Sequence, residues 1–389
     1  MSECSSNSRT ILAALVMSVA CLLGAARASG QAGPEQKPLL AEQVFKNVQV
    51  LKGIPVDQFL ETMGFFSASL NSNCVDCHTE ESGANWERYA DDTPKKQTTR
   101  KMILMMRAIN QSYFGGRRVL TCYSCHRNGD RPKVTPNLAE VYGVPLPDEP
   151  EEIPEKVPGA PSADQILDRY IQVLGGAQRL ASLTSFVAKG SYQGYGEGEK
   201  SPVEIFAKAP GLRTTIIHKV TGDNTTAYDG RAAWVVKPAS DAPVPTLALT
   251  GGLLDGAKVD AELSFPGRIR QTLTKWHVGF PATIDDRDVQ VVQGTTAGGS
   301  NINLYFDPKS GLLVRQVHFT ESYVGLNPTQ IDYSDYRDVS GVKVPFRWTV
   351  TWVDGRSTFE LNEVRPNVAI DAAKFTKPAA PAPPKIATR

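Results

Sequence analysis

The clearest chemistry in this chain lies in two short motifs with the same spacing. Residues 74–78 read CVDCH and residues 122–126 read CYSCH. The pattern Cys-x-x-Cys-His is typical of covalent attachment of a c-type haem, because two thiols at this spacing reach the two vinyl groups of one haem and the next histidine ligates its iron. The sequence therefore predicts two c-type haems, attached through Cys74, Cys77, Cys122 and Cys125, with His78 and His126 as axial ligands.

Three other interpretations of the cysteines remain open at this stage. A structural disulfide within each pair needs no adjacent histidine. A zinc site built from four thiolates also leaves both histidines unused, and its two Cys-x-x-Cys pairs are widely separated in the sequence. A redox-active dithiol requires a thioredoxin-like βαβ setting, which the sequence around the motifs does not predict.

Methionine placement supports haem binding. After the first 30 residues every methionine lies upstream of one of the two motifs, and none occurs after residue 106; they are Met63, Met102, Met105 and Met106. A thioether is a soft ligand that suits haem iron, and ligation by methionine and histidine raises the reduction potential. The alternative is that these residues only fill the hydrophobic core.

Two helices are predicted to carry the methionines. The first begins near Asp57 and buries a stripe at helical spacing, with Gly64 leaving room for a flat ring; the stripe is Val56, Phe59, Leu60, Met63, Phe66 and Leu70. The second begins at Thr93 and Pro94 and ends at the glycines 115–116. Its predicted stripe is Met102, either Met105 or Met106, Ile109 and Tyr113. Periodicity alone does not choose among the three methionines of the second helix.

Residues 44 to about 136 resemble the N-terminal, dihaem half of the tetrahaem cytochrome c subunit of bacterial photosynthetic reaction centres. The resemblance rests on the segments FKNVQVL (45–51), FLETM (59–63), RKM (100–102), RAIN (107–110) and LTCYSCHR (120–127), with the first haem motif between them. It implies that Met63 is the sixth ligand of the first haem and Met102 that of the second, and that Met105 and Met106 are packing residues. It also implies photosynthetic electron transport.

The chain departs from that family in two related ways. It has two haem motifs where the family subunit carries four haems, and no histidine lies between Met102 and Cys122, where the family places a ligand for a more distant haem. The expected redox partner is therefore either a membrane-bound reaction centre or another oxidoreductase.

The first 30 residues are predicted to be a signal peptide. Arg9 precedes an apolar run over residues 11–26, and the small residues 26–28 form a cleavage site. The mature protein is expected in the periplasm or on the outer face of the cytoplasmic membrane. An uncleaved anchor, or lipid attachment at Cys21, is the alternative. The chain has 42 Lys and Arg against 41 Asp and Glu, which argues against nucleic-acid binding.

The fold is predicted to be multidomain: a mainly α dihaem cytochrome c domain (41–142), a Pro- and Glu-rich linker (145–161), an antiparallel, open β-barrel-like α+β domain (162–377) and a disordered tail (378–389). The order of elements and the phrase YFDPKSGLL (305–313) resemble LolA/LolB-like lipoprotein carriers. That resemblance implies a hydrophobic ligand. His218, His277 and His318 lack metal-ligand spacing and are interpreted as packing or surface residues.

The predicted function is single-electron transfer. If both irons are ligated by histidine and methionine, neither has a position open to substrate, so no catalytic residue is predicted and the chain is not expected to be an enzyme. Two rivals remain. One is a dihaem peroxidase-like enzyme, which needs an open iron position. The other is a lipid- or lipoprotein-binding envelope protein with a redox-sensing haem domain.

Overall fold

The computed structural model describes residues 37–143, 149–153, 159–237 and 243–380. The predicted signal peptide with Cys21, part of the predicted linker and residues 381–389 of the predicted tail lie outside the described residues. The described residues from Pro38 onward belong to one compact unit. The expected domain boundaries stay a prediction. None of the described helices combines the length and the apolar character needed to cross a membrane.

The N-terminal region of this unit is helical. Its helices are α1 (Ala41–Val44), α2 (Val56–Leu70), α3 (Cys74–Cys77), α4 (Pro94–Phe114), α5 (Cys122–His126) and α6 (Leu138–Tyr142), with 3₁₀ turns at Glu80–Gly83 and Trp86–Ala90. The predicted ends of α4 are confirmed. Thr93 caps it by accepting a hydrogen bond from the Lys96 amide at 3.2 Å, and Gly115 ends it with φ of +62°.

Burial of helix α2 follows the predicted stripe only in part. Its most deeply buried residues are Val56, Asp57, Thr62, Gly64, Phe65 and Ser69. Leu60, placed by the sequence on the buried stripe, is 36% exposed, while Met63 is half-buried. Gly64 does not make room for a ring: a Cβ there would lie 3.1 Å from the Asp354 carboxylate. Phe59, Met63 and Phe66 of the predicted stripe pack at the edge of the cluster that contains Phe65. The buried surface is wider than the stripe because another side of α2 also contacts the sheet region.

Helix α4 also follows its predicted stripe only in part. Its buried residues are Ile103, Met106 and Asn110, whereas Met102 is 39% and Met105 is 49% exposed. Met106 therefore packs in the hydrophobic core, while the packing role expected for Met105 stays a prediction. Asn110 is buried because its amide oxygen accepts hydrogen bonds from the backbone N–H groups of Val119 and Leu120, at 3.2 and 2.9 Å.

The C-terminal region is built on a large, open antiparallel sheet. The strands are β1 (Ser185–Gly194), β2 (Ser201–Lys208), β3 (Leu212–Lys219), β4 (Gly222–Tyr228), β5 (Ala233–Val236), β6 (Thr246–Ala248), β7 (Thr274–Val278), β8 (Ala282–Ile284), β9 (Arg287–Thr295), β10 (Asn301–Phe306), β11 (Leu313–Glu321), β12 (Leu326–Val339), β13 (Val342–Trp352) and β14 (Gly355–Pro366). Within the described residues they form a 14-stranded sheet in the order β6-β5-β4-β3-β2-β1-β14-β13-β12-β11-β10-β9-β7, with β8 paired to β9.

Hairpin turns join most neighbouring strands, as the sequence predicts. Asp229 and Gly230 turn between β4 and β5, where the Asp229 carboxylate accepts hydrogen bonds from two backbone N–H groups of the turn. Residues 307–311 connect β10 to β11, and residues 353–354 connect β13 to β14. Because side chains alternate across each strand, this regular meander gives the sheet one continuous inner face.

Helices lie against that inner face. They are α7 (Ala163–Val173), α8 (Ala177–Ser182), α9 (Gly251–Leu263) and α10 (Ile269–Thr272). Helix α7 begins with the predicted capping box, in which Ser162 and Gln165 each accept a hydrogen bond from the other's backbone N–H. The main hydrophobic cluster joins the helices to the sheet, with Leu167, Ile269 and Phe306 almost completely buried. Burial of this apolar surface is the main force that holds helices and sheet together.

The helical region and the sheet region share a hydrophobic core. The tight turn between β11 and β12, residues 322–325, inserts into the helical region. Val324 at its tip is fully buried and belongs to one cluster with Phe65, Ile103 and Met106. Next to it, Asn327 of β12 donates hydrogen bonds to the backbone and side-chain oxygens of Glu61 in α2, at 3.1 and 3.0 Å. The two regions therefore fold as neighbours in contact.

Residues 149–153 of the predicted linker lie along β9 and β10. Polar side chains of the sheet bind its backbone: Gln293 donates to the Glu151 carbonyl at 2.8 Å and Asn303 donates to the Pro150 carbonyl at 2.7 Å. Ile153 is buried in a cluster with residues of the sheet. These contacts fix this stretch against the sheet.

Candidate haem-binding site

The first Cys-x-x-Cys-His motif forms a single helical turn, α3, with its own cap. The Asn73 side-chain oxygen accepts hydrogen bonds from the backbone N–H groups of Val75 and Asp76, at 3.0 and 3.2 Å. In return, the Asp76 carboxylate accepts from the Asn73 N–H at 2.8 Å. This capping box stabilises a helical turn that is too short to be stable alone. It therefore fixes the spacing of Cys74 and Cys77 on one turn.

The second motif is built in the same way. Thr121 caps α5: its hydroxyl accepts a hydrogen bond from the Ser124 N–H at 3.2 Å, and the Ser124 hydroxyl accepts from the Thr121 N–H at 3.1 Å. The approach to this turn is fixed by Asn110, which also donates to the Leu120 carbonyl at 2.8 Å. Two separate parts of the sequence thus produce the same local structure around a Cys pair.

Both motif histidines are oriented by a backbone carbonyl. His78 Nδ1 lies 3.1 Å from the Tyr89 carbonyl oxygen, and His126 Nδ1 lies 3.0 Å from the Gly129 carbonyl oxygen. A carbonyl only accepts, so Nδ1 carries the proton in each ring. Nε2 then presents its lone pair, and no described residue is seen to hydrogen-bond to it in either ring. A histidine that ligates a metal is typically held in this way.

The surroundings of His78 favour its neutral form. Burial lowers the pKa of His78, and the nearby charge of Lys96 lowers it further. Lys96 Nζ donates to the same Tyr89 carbonyl oxygen as His78, at 2.8 Å, and to the Asp91 carbonyl at 2.6 Å. A neutral imidazole is the form that binds a metal. The ring also makes an edge contact with Tyr89, with centroids 4.8 Å apart.

The four motif cysteines are free thiols in this structure. Burial raises the pKa of Cys77 and raises the pKa of Cys122 to about 11. Reactive dithiols of oxidoreductases have lowered thiol pKa values, so these surroundings argue against the redox-dithiol alternative. The described residues contain no group of three or more His, Cys, Asp or Glu side chains placed to hold a metal ion. The four-thiolate zinc site therefore has no geometric support.

The two expected methionine ligands lie on separate helices. Met63 on α2 and Cys122 at the start of α5 both pack at the edge of the cluster that contains Phe65. Met102 lies on α4 one turn before the buried Met106, and its side chain is 39% exposed. Each thioether is therefore on an accessible side of its helix. Their assignment as iron ligands stays a prediction.

Exposed apolar side chains are concentrated around the motifs. Among the described residues, most of the large hydrophobic side chains that face solvent belong to the helical region; they are Leu39, Leu60, Val75, Met102, Leu104, Met105, Tyr113, Val119, Tyr123, Val134, Leu138, Val141 and Tyr142. Large exposed apolar patches on a protein often mark a binding site. Together with the thiol pairs and the oriented imidazoles, this surface fits a large, flat apolar cofactor.

Sequence reasoning missed the residues that position the motifs. Asn73, Thr121, Asn110 and Lys96 were not singled out, and neither were the two carbonyls that orient the histidines. The two caps could have been predicted from the sequence, because Asn73 and Thr121 are each followed, three positions later, by a polar residue, as in a capping box. The carbonyl contacts had none, since they depend on how residues 78–89 and 126–129 fold back.

Comparison with known proteins gives a family match for the helical region. Residues 24–139 match the profile of the photosynthetic reaction centre cytochrome C subunit family. The photosynthetic reaction center cytochrome c subunit of Thermochromatium tepidum is 35% identical over 97 residues, covering 24% of this chain and 23% of that protein. The subunit of Rubrivivax gelatinosus is 33% identical over 98 residues, covering 24% and 25%.

The resemblance expected for residues 44 to about 136 is thereby confirmed. Its extent is limited: the chain spans about a quarter of the length of the curated relatives it matches.

Solved structures resemble the larger, C-terminal part. A LolA superfamily protein from Nitrosomonas europaea aligns over 56% of this chain and 99% of its own length, at 15% identity and a TM-score of 0.38. A lipoprotein-sorting protein domain from Vibrio parahaemolyticus aligns over 54% of this chain and 97% of its own, at 9% identity and a TM-score of 0.36.

Proposed function

We propose that this chain is an exported dihaem c-type cytochrome that transfers single electrons. The observation that carries the proposal is the repeated local geometry: each Cys pair sits on a capped helical turn, and each following histidine has its Nδ1 bound by a carbonyl and its Nε2 available. Neither a disulfide nor a zinc site accounts for both oriented histidines. The family match over the same residues supports the proposal.

Each group of side chains has a distinct role in this proposal. Cys74 and Cys77 bind one haem covalently, and Cys122 and Cys125 bind the other. His78 with Met63, and His126 with Met102, ligate the two irons. A c-type haem supplies reversible one-electron chemistry. The protein orients the imidazoles through the Tyr89 and Gly129 carbonyls, and the exposed apolar side chains of the helical region would contact the haems.

The electron partner is a protein. The family match points to a photosynthetic reaction centre as one candidate, and another oxidoreductase is the alternative because only two motifs are present. Export follows from the apolar N-terminal run and agrees with covalent haem attachment outside the cytoplasm. The protein is then located in the periplasm, or on the outer face of the cytoplasmic membrane with an anchor at its N-terminus.

Haem content and spin state test the proposal. The full chain, produced in a host that matures c-type cytochromes, should carry two covalent haems by mass and by haem absorbance. The double variant Cys74→Ser/Cys77→Ser should keep one, and Cys122→Ser/Cys125→Ser should keep the other, so each variant is the control of its counterpart. Both oxidised haems should be low-spin. Colourless protein contradicts the proposal, and a high-spin haem favours the peroxidase-like alternative.

The sheet region suggests a second candidate function, binding of a hydrophobic ligand. A cavity of about 300 Å³ lies between the inner face of the sheet and helix α9. Its walls are mostly apolar, as in small-molecule sites of this size. Electron transfer does not require such a cavity. Calorimetric titration of the full chain with single-chain amphiphiles tests this function independently of the haems.

A further inference from the structure

The cavity in the sheet region has an apolar body and a small polar patch. The apolar wall includes Phe186, Ile205, Ile217, Trp348, Phe359 and Leu361. The polar patch, which we call the Arg213 patch, consists of Arg213 on β3 with Asp260 and Ser264 from α9 and its C-terminus. A ligand that fills the cavity therefore meets apolar side chains along most of its length and a charged group at one place.

Arg213 is held with most of its hydrogen-bonding capacity unused. Its Nη1 donates to the Ser264 hydroxyl at 2.6 Å, and that hydroxyl donates to the Asp260 carbonyl at 2.8 Å. No ion pair joins Arg213 to a carboxylate among the described residues, although Asp260 is close enough to act on its charge. A guanidinium has five N–H donors in a planar fork that matches a carboxylate.

Asp260 does not neutralise this charge fully. Burial raises the pKa of Asp260, with the nearby His318 and Arg213 opposing that rise. Its carboxylate accepts one long hydrogen bond, 3.4 Å, from Gln316. Arg213 is only half-buried, so its spare donors are accessible to a ligand that enters the cavity, and a guanidinium fits a planar anionic partner.

We propose that the cavity binds a single-chain amphiphile with a carboxylate head, such as a medium-chain fatty acid. The carboxylate accepts hydrogen bonds from the free donors of Arg213, and the chain lies along the apolar wall. The volume supports one chain rather than a lipid with several, because about 300 Å³ is at the lower end of ligand pockets. This inference rests on the second candidate function and does not depend on the haems.

Titration of the full matured protein with three ligands of equal chain length tests the head group. Decanoate, decanol and decyltrimethylammonium are compared by calorimetry at pH 8, where the fatty acid is ionised. Decanoate should bind at least about tenfold more tightly than decanol, because a charge-assisted bidentate pair is gained. The cationic amphiphile should bind weakest.

A variant then assigns the preference to one residue. Arg213→Gln should remove the advantage of decanoate and leave decanol binding unchanged. Arg287→Gln makes an equal charge change at an exposed site on β9, and it should alter neither the affinity for decanoate nor the affinity for decanol. If the Arg213 variant does not fold, the comparison of the three ligands on the unmodified protein still tests whether the cavity prefers a carboxylate head group.

Equal binding of decanoate and decanol by the unmodified protein overturns the head-group assignment while leaving a purely apolar site. Absence of binding by all three amphiphiles overturns the ligand-binding function itself, together with this inference.

Discussion

Asp57 and Thr250 connect the helix that carries Met63 to the helix that borders the cavity. The Asp57 carboxylate accepts hydrogen bonds from the Thr250 N–H at 2.6 Å and from its hydroxyl at 2.9 and 2.8 Å. Thr250 is the N-cap of α9, and Asp57 is 2% exposed. A negative charge at this position also favours the helix through its dipole. One buried contact thus joins the two proposed sites.

Removal of this carboxylate should destabilise the protein. Asp57→Ala leaves the Thr250 N–H and hydroxyl without their buried acceptor, so we expect a loss of about 1–3 kcal/mol in the free energy of unfolding. Denaturant unfolding followed by circular dichroism measures it. Asp223→Ala, which removes an exposed carboxylate bonded to His218, is the control and should cost less than about 0.5 kcal/mol. Equal effects of the two variants would contradict a structural role for the buried contact.

The pH dependence of stability gives a second prediction for the same residue. Burial raises the pKa of Asp57 above its usual value of 3.8, with the Thr250 hydrogen bonds opposing the rise. The folded state then holds this proton more tightly than the unfolded state, so the associated stability is present below about pH 4 and is lost as pH rises through the raised value.

Asp57→Asn removes this titration. Relative to the unmodified protein, the variant should therefore gain unfolding free energy as pH rises from about 4 through the raised pKa of Asp57. Urea unfolding at several pH values in this interval measures the difference between the two proteins. A difference that stays constant across the interval argues against a raised Asp57 pKa.

The methionine assignment predicts two separate changes in reduction potential. Met63→Ala and Met102→Ala should each lower the potential of one haem, because the methionine ligand favours the reduced iron. Spectroelectrochemical titration resolves the two steps. Met105→Ala is the matched control, since Met105 is an equally exposed methionine on the same helix as Met102. If Met105→Ala lowers a potential and Met102→Ala does not, the assignment on α4 is wrong.

Lys96 should raise the potential of the first haem only. Its ammonium donates to the carbonyl that also binds His78, so it places a positive charge beside one of the two histidines. Lys96→Met should lower the potential of the same haem that Met63→Ala affects, and leave the other unchanged. Lys52→Met, at an exposed site, serves as the control. Equal shifts in both haems would show a general effect of net charge instead.

The sequence was sufficient for the local elements. Caps, glycines and turn residues are short-range signals, and they predicted the ends of α4, the capping box of α7 and the hairpin turn at Asp229. The Cys-x-x-Cys-His spacing is equally local. It could be read without knowing the fold, because the thiols and the histidine lie within a single turn.

The buried faces of the helices could not be predicted from the sequence in the same way. Periodicity predicted an apolar stripe on α2, but the deepest burial includes Thr62 and Asp57, whose partners come from distant parts of the chain. Asp57 and Thr62 can be buried there because they accept hydrogen bonds from backbone N–H groups of the sheet region. The buried Ser69 hydroxyl has no such partner among the described residues. The Arg213 patch has the same origin: its members come from a strand and a helix far apart in sequence.

The insertion of Val324 between the helices has a consequence for protein engineering. A fragment that ends at the proline-rich stretch loses Val324 from the cluster that contains Phe65 and Ile103, and it is expected to aggregate even when its cofactors are attached. The haem-binding segment is therefore not expected to be stable when it is separated from the sheet region. Transplanting it into another protein requires a substitute for the tip of that β-hairpin.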